Sequence, residues 1–277
     1  TADDHATFRA LGRQMAAHNG YRARQGSDLY IIDGDHDDWM YHEHRIFAFT
    51  FELARTERRH YPTPAEVAAD TARNHDAVLH LLEHADCPYR AAGLAATHCG
   101  PLGDDFEIHR GWTVNPDGTD SANGGRWQRG IPARTADRSG VKQRADTASG
   151  QADLVTGAAG GRPAANDVDG GVTSALSPRI ELGGGEWRLT FRYTFAHGRR
   201  ASADDYLRVY VVSGGERTVV FERLGAPVAR NALWTSATVD LSPFAGRALR
   251  ILVEAADHGR ANVLEAALDD VRVFRAP

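Results

Sequence analysis

A glutamate closes the most apolar run of the chain. Ile46-Phe47-Ala48-Phe49-Thr50-Phe51 precedes Glu52, and Leu53 follows it. Consecutive apolar and β-branched residues predict an interior strand covered on both faces. A carboxylate at the exit of such a strand loses hydration, at a cost on the order of several kcal/mol unless it is compensated. Stability alone favours Leu or Val there. The chemistry that needs a carboxylate is general-base catalysis beside a metal or a substrate amine. The plain alternative is a strand-exit glutamate that points to water.

Other groupings carry weaker chemistry. His80-Leu81-Leu82-Glu83-His84 has the HxxEH spacing of a zinc site, with two imidazoles one helical turn apart. Helical projection sets His80, Glu83 and His84 opposite the apolar stripe, so a solvated helix face is the expectation rather than a dry metal centre. Asp33-Gly34-Asp35-His36-Asp37-Asp38 begins like a calcium loop. The EF-hand needs Gly at its sixth position and Glu at its twelfth, where this chain has Asp38 and His44. His42-Glu43-His44 would put two imidazoles on one strand face, with no further ligand close in sequence. In the second half, Asp104-Asp105-Phe106-Glu107, Asn166-Asp167-Val168-Asp169-Gly170 and Asp269-Asp270 cluster carboxylates with glycine. That chemistry suits structural calcium, with Glu107 and Asp269 as its candidate ligands. Ordinary surface acidity is the alternative.

These residues need elements to position them. A first helix is expected from Asp3 or Asp4 as cap, with Phe8, Leu11 and Met15 on one face and Asn19-Gly20 as its end. A polar loop follows from Tyr21 to Tyr41. Thr63-Pro64-Ala65-Glu66 opens a second helix with a capping box and Pro at its first position. Val67, Thr71, Val78, Leu81 and Leu82 form its apolar side, and it stops near Asp86. One interior strand in about 90 residues is few for an independent α/β domain, so residues 1–92 are expected to be the last part of a larger one. Residues 93–103, rich in Ala and Gly with Pro101, read as a linker.

From residue 104 to 277 the texture is all-β. Trp187, Leu189, Phe191, Tyr193 and Phe195 alternate with polar residues, as do Leu207, Val209 and Val211, and Leu249, Ile251 and Val253. Val271 and Val273 close the chain, and glycine-rich turns punctuate it. The expected fold class is therefore α/β followed by an all-β jelly-roll sandwich, with long loops over 133–171.

A net charge of −5 argues against a nucleic-acid partner, which would show a basic stripe. No run of about 18 apolar residues is present to span a membrane. Cys87 and Cys99 are the two cysteines of the chain. They read as a disulfide formed in an oxidising compartment, hence a secreted protein, with two free thiols as the alternative. The opening Thr-Ala-Asp-Asp shows no signal peptide and reads as a mature or truncated chain.

Ser27-Asp28-Leu29-Tyr30, Asp38-Trp39-Met40-Tyr41 and the run from Ile46 to Leu53 together resemble the closing third of an M14-family zinc carboxypeptidase. The helix ending Leu82-Glu83-His84-Ala85-Asp86-Cys87-Pro88-Tyr89 resembles the last helix of its secreted bacterial members. The resemblance covers roughly residues 1–92. It implies that Glu52 is the general base that activates the attacking water and passes a proton to the leaving amine. Tyr30, 22 residues earlier, would be the phenol that closes over the substrate's C-terminal residue. Asp37 would sit on the floor of the specificity pocket and favour Lys or Arg at the peptide's C-terminus, with Asp35 the rival for that role. The implied cofactor is Zn2+. In the family its ligands, an HxxE pair and a later His, lie upstream of this segment, as does the Arg that grips the substrate carboxylate. The chain by itself is therefore expected to lack a zinc site and peptidase activity. Asp105-Phe106-Glu107, Ser177-Pro178 and Leu268-Asp269-Asp270-Val271 resemble MAM-like jelly-roll modules. The second expectation for function follows from them: a non-catalytic module binding carbohydrate or protein.

Overall fold

A computed structural model describes residues 1–31, 34–53, 62–162, 165–260 and 262–276. The chain divides into two compact units, Thr1–Cys99 and Gly100–Pro277.

The first unit is built on helices α1 (Ala2–Asn19), α2 (His36–His44), α3 (Pro64–Glu83) and the short α4 (Ala95–His98). Thr1, rather than Asp3 or Asp4, caps α1. Its hydroxyl accepts the Asp4 amide while the Asp4 carboxylate reaches back, and Gly20 ends the helix in the left-handed region. Leu11, Met15 and Ala77 form a small core, joined by Phe8, Phe47, Phe49 and Phe51. Asp35 caps α2 by accepting the Asp38 amide, so part of the expected loop from Tyr21 to Tyr41 is helical. His42 and His44 thereby stand on a helix, where residues two apart do not face each other. The Thr63–Glu66 capping box and Pro64 start α3 as expected.

Two expectations fail in this unit. Residues 46–53 form neither helix nor strand, because the described residues of the unit supply no second strand to pair with. Phe47 is buried while Ile46 and Glu52 are exposed, so only one side of the segment is covered. Helix α3 is also rotated from its apolar projection. It buries Asn74 and Ala77, whereas Val67, Val78 and Leu82 are exposed. The reason is its partner: Asn19 donates to Asn74 Oδ1 at 2.9 Å in the buried seam, and Gln14 Oε1 meets His80 Nε2 at 3.0 Å. Polar complementarity with α1, not the apolar count, decides the face.

Residues 93–103 are not a bare linker. Cys87 and Cys99 are joined as a disulfide, which closes a loop holding α4.

The second unit is an antiparallel sandwich. Its strands are β1 (Leu102–Asp104), β2 (Thr113–Val114), β3 (Trp127–Gly130), β4 (Thr135–Asp137), β5 (Gly140–Gln143), β6 (Asp153–Thr156) and β7 (Gly171–Leu176). They continue with β8 (Ile180–Glu181), β9 (Trp187–His197), β10 (Tyr206–Ser213), β11 (Glu216–Leu224), β12 (Thr235–Asp240), β13 (Ala248–Asp257) and β14 (Leu264–Arg275). One sheet has the order β12-β9-β14-β6-β3, with β1 on the far part of β14. The other has β11-β10-β13-β7-β2, with β8 on β13. The alternating residues predicted from sequence fill the space between them: Leu189, Phe191 and Phe195 from one sheet, Leu207, Val209, Ile251 and Val253 from the other. Trp127 is fully buried and donates its indole N–H to Thr173 O at 3.1 Å.

The stretch 133–171, expected as loops, contains β4, β5 and β6. The β4–β5 hairpin forms its own two-stranded sheet. It buries polar Thr135, Lys142 and Gln143 rather than an apolar face, so no apolar alternation betrayed it.

Candidate functional site

In the first unit the residues expected to do chemistry come from three places. Asp37 lies in the first turn of α2, held there by the Asp35 cap. Its Oδ2 accepts the Thr50 hydroxyl at 2.8 Å, which ties α2 to the 46–53 segment two residues before Glu52. That segment is seated on α1 and its neighbours through ring contacts of Phe47 with Phe8 (4.6 Å), Tyr89 (5.4 Å) and Tyr41 (5.8 Å). Glu52 itself is exposed, and the buried strand-end expected for it does not form. It makes no hydrogen bond or ion pair within the described residues. Tyr30 follows a 3-10 turn at Gly26–Asp28 and is 62% exposed. Asp37 and the Glu52 segment are thus brought together, and Tyr30 stands free of both. Asp33 lies outside the described residues.

One buried acid organises this unit. Asp4 accepts the Tyr41 hydroxyl at 2.6 Å and the Tyr89 hydroxyl at 2.5 Å. Burial pushes its carboxyl up, but hydrogen bonds from Tyr41, Tyr89 and Thr1 outweigh burial and hold it well below the usual carboxylate range. Asp4 therefore anchors α2, through Tyr41, and the Cys87–Cys99 loop, through Tyr89, to the start of α1.

His80 and His84 do not face open water as projected. Their rings lie 4.5 Å apart, with His18 of α1 at 5.3 Å from His80. His84 Nδ1 lies 2.9 Å from His80 O. Burial, then the neighbouring His84 and His18, lower the His80 pKa. Among the described residues no group of three His, Cys, Asp or Glu side chains is arranged to hold a metal.

In the sandwich, Glu107 and Asp269 act on the same loop. Glu107 Oε1 accepts the amides of Gln151 (2.6 Å) and Ala152 (2.7 Å). Asp269 Oδ2 accepts those of Ala148 and Ser149, both at 2.9 Å. The backbone is bent at each acid: Phe106 and Asp270 both take positive φ, and a bulge interrupts the β14–β9 register after Asp269. Sequence reading missed their third member, Asp153, which is buried with Oδ1 unpartnered. Burial and then the Asp269 charge push its carboxyl up to about 8, and burial does the same to Asp269. The signal available was an acid opening the otherwise apolar Leu154-Val155.

Residues 1–77 match the zinc carboxypeptidase (peptidase M14) family. A zinc carboxypeptidase of Saccharothrix mutabilis subsp. capreolus is 40% identical over 94 residues, which are 33% of this chain and 22% of that protein. The chain therefore spans well under two thirds of the relative it matches. Among solved structures, the K1 cleaved adhesin domain of Lys-gingipain from Porphyromonas gingivalis W83 is similar, with 21% identity and a TM-score of 0.40, over 64% of this chain and 98% of that one. The CBM22-1 xylan-binding domain of Xyn10C from Paenibacillus barcinonensis has 14% identity and a TM-score of 0.34, over 64% of this chain and 96% of that one.

Proposed function

We propose that residues 1–92 are the closing part of a secreted zinc carboxypeptidase domain that removes C-terminal residues, with preference for Lys and Arg, and that residues 104–277 are its accessory sandwich. The family match over residues 1–77 carries this reading. The exposed apolar side chains support it. Ile31 (86%), Leu82 (62%) and Leu53 (60%), with Val67 and Val78, are apolar side chains left exposed. The rest of a catalytic domain would cover them.

The described residues do not form a zinc cage, so zinc would be held by other parts of the full-length protein, and no step is routed through it here. Glu52 is an accessible carboxylate that pairs with none of the described residues. It takes the proton of the attacking water and returns it to the leaving amine. Tyr30 closes over the terminal residue of the peptide. Asp37, fixed by Thr50, places one negative charge where a Lys or Arg side chain enters.

The test is C-terminal residue release by the full-length protein, measured on peptides ending in Lys and in Leu. Faster release of Lys is expected, and Asp37→Asn, which keeps an oxygen for Thr50 but removes the charge, should cut kcat/KM for the Lys peptide by about 10–100-fold, the worth of a charge-assisted pair. Absence of zinc-dependent release overturns the activity. Equal rates for both peptides in the wild type overturn the role of Asp37 alone.

A second reading, of the sandwich as a binding module, has its own observation. A cleft of about 590 Å³ is lined by Arg138, Arg199, Arg200, Asp169 and Asn262, a volume in the range of ligand sites. Titrating the chain with acidic and neutral oligosaccharides tests it. Binding of the acidic ones, lost in Arg199→Ala with Arg200→Ala, is the expected result, and no binding of either removes the reading.

A further inference from the structure

The sandwich buries a second group of acids, apart from Glu107, Asp153 and Asp269. Asp167 is 2% exposed, and neither of its carboxylate oxygens has a hydrogen-bond partner. Glu265 is 1% exposed. Its Oε2 accepts the Thr156 hydroxyl at 3.2 Å, and its Oε1 has no partner. Asp257 and Asp205 are also buried, but they are satisfied. Asn262 donates to Asp257 at 2.7 Å, and the amides of Ser202 and His258 donate to Asp205 at 2.8 and 2.7 Å.

The charges that act on the two unsatisfied acids are themselves acidic: Asp169 acts on Asp167, and Asp167 acts on Glu265. Burial first, and these neighbours second, push Asp167 up to about 6 and Glu265 to about 8. An uncompensated buried carboxylate costs several kcal/mol, on the order of the penalty for an unpaired buried ion. Two solutions exist. Each acid keeps a proton, or a cation neutralises both.

The local backbone suits the second. Asp167 lies in the Asn166–Gly170 loop, and the Val168 amide bonds Leu264 O at 3.0 Å, which sets this loop against the start of β14. Gly125, at φ +60°, lets a second stretch of main chain pass so close that a Cβ there would stand 2.2 Å from the Asp167 carbonyl carbon. Three backbone segments thus meet around Asp167, whose carboxylate oxygens are both unpartnered. Calcium takes six to eight oxygens and draws freely on main-chain carbonyls and water. Glu107 and Asp269 differ, since the oxygens described above already receive main-chain N–H donors.

We propose that Asp167 and Glu265 are the anionic ligands of a divalent cation, calcium by its oxygen chemistry, bound between the Asn166–Gly170 loop and the start of β14. Its other ligands are main-chain carbonyls and water, in keeping with the absence of a three-side-chain cage among the described residues. The ion staples β14 to the loop that leads into β7.

The experiment uses the 277-residue chain after chelator treatment, titrated with CaCl2 at pH 7 and followed by calorimetry, thermal unfolding and hydrogen exchange. Calcium is expected to raise the unfolding temperature and to slow exchange at 166–170 and 264–266. Asp167→Asn and Glu265→Gln, which keep shape and remove charge, should each weaken binding at least tenfold. Should a variant fail to fold, the exchange map of the wild type decides the location. The proposal is overturned if the wild type binds no calcium, which leaves the acids protonated. It is equally overturned if protection arises only at 147–152 and 269–270, which places the ion at Glu107 and Asp269.

Discussion

If Glu52 is the general base proposed above, replacing it with glutamine is expected to lower kcat of the full-length protein for C-terminal residue release by about 10²–10⁴-fold, the usual contribution of a positioned general base. KM should hardly move, because the amide keeps the size of the side chain and Glu52 is not the group that grips the peptide. The structure makes this a clean experiment. Glu52 is exposed and bonds to nothing within the described residues, so its loss removes no interaction among them. Surface substitutions of this kind usually change stability by about 0.5 kcal/mol or less. Steady-state kinetics on peptides, with a melting curve for each protein, checks both halves. An unchanged kcat would exclude Glu52 as the base. A lowered kcat with a collapsed melting curve would mean that the effect is structural.

The second large effect is on stability. Asp4→Ala should destabilise the first unit by about 3–5 kcal/mol, since hydrogen bonds to a charged acceptor are worth about 1.5–3 kcal/mol each and Asp4 accepts two from tyrosines. That is a large part of the stability of a domain-sized unit. The same residue makes a pH prediction. Its folded pKa is depressed below the ordinary value of 3.8, so the folded state releases the proton more readily than the unfolded one. The stabilisation is complete above the unfolded pKa and is lost progressively as pH falls from about 4 toward the depressed folded pKa. Hydrogen exchange in α1 and α3 at pH 7 and at pH 3 reads it. The wild type should lose protection on acidification, and Asp4→Ala should start low and change little. Equal protection of the two proteins at pH 7 would contradict the anchoring role.

The buried acids of the sandwich have the opposite sign. Asp153, Glu265 and Asp269 are raised to about 8. Without a compensating cation, their contribution favours folding near pH 4 and is lost as pH rises through 8. Acidification should therefore weaken one unit while it relieves the other.

Much of the sandwich was legible in sequence because a strand between two layers must alternate. Leu189, Phe191, Tyr193 and Phe195 could face the core only as a strand. The β4–β5 hairpin was not legible, since its buried residues are polar and Lys142 and Gln143 bond to other parts of the chain. Lys142, for example, donates to Arg230 O and Asn231 Oδ1. Helix α2 had a readable start in Asp35 with Asp37 and Asp38 behind it, and the surrounding Asp and Gly masked it.

By itself the sequence determined local facts: where helix α1 ends and where α3 is capped, which residues of β9, β10 and β13 turn inward, and which residues resemble a peptidase site. These depend on neighbours a few positions away. The tertiary structure decided whatever depends on a partner. Glu52 lies in water because no second strand among the described residues meets residues 46–53. Helix α3 turns Asn74 inward because Asn19 awaits it. Asp4, an ordinary first-turn acid in sequence, became an anchor through Tyr41 and Tyr89, which lie 37 and 85 residues further on. Burial and pairing are properties of surfaces that meet in space, and a one-dimensional pattern specifies one of those surfaces at a time.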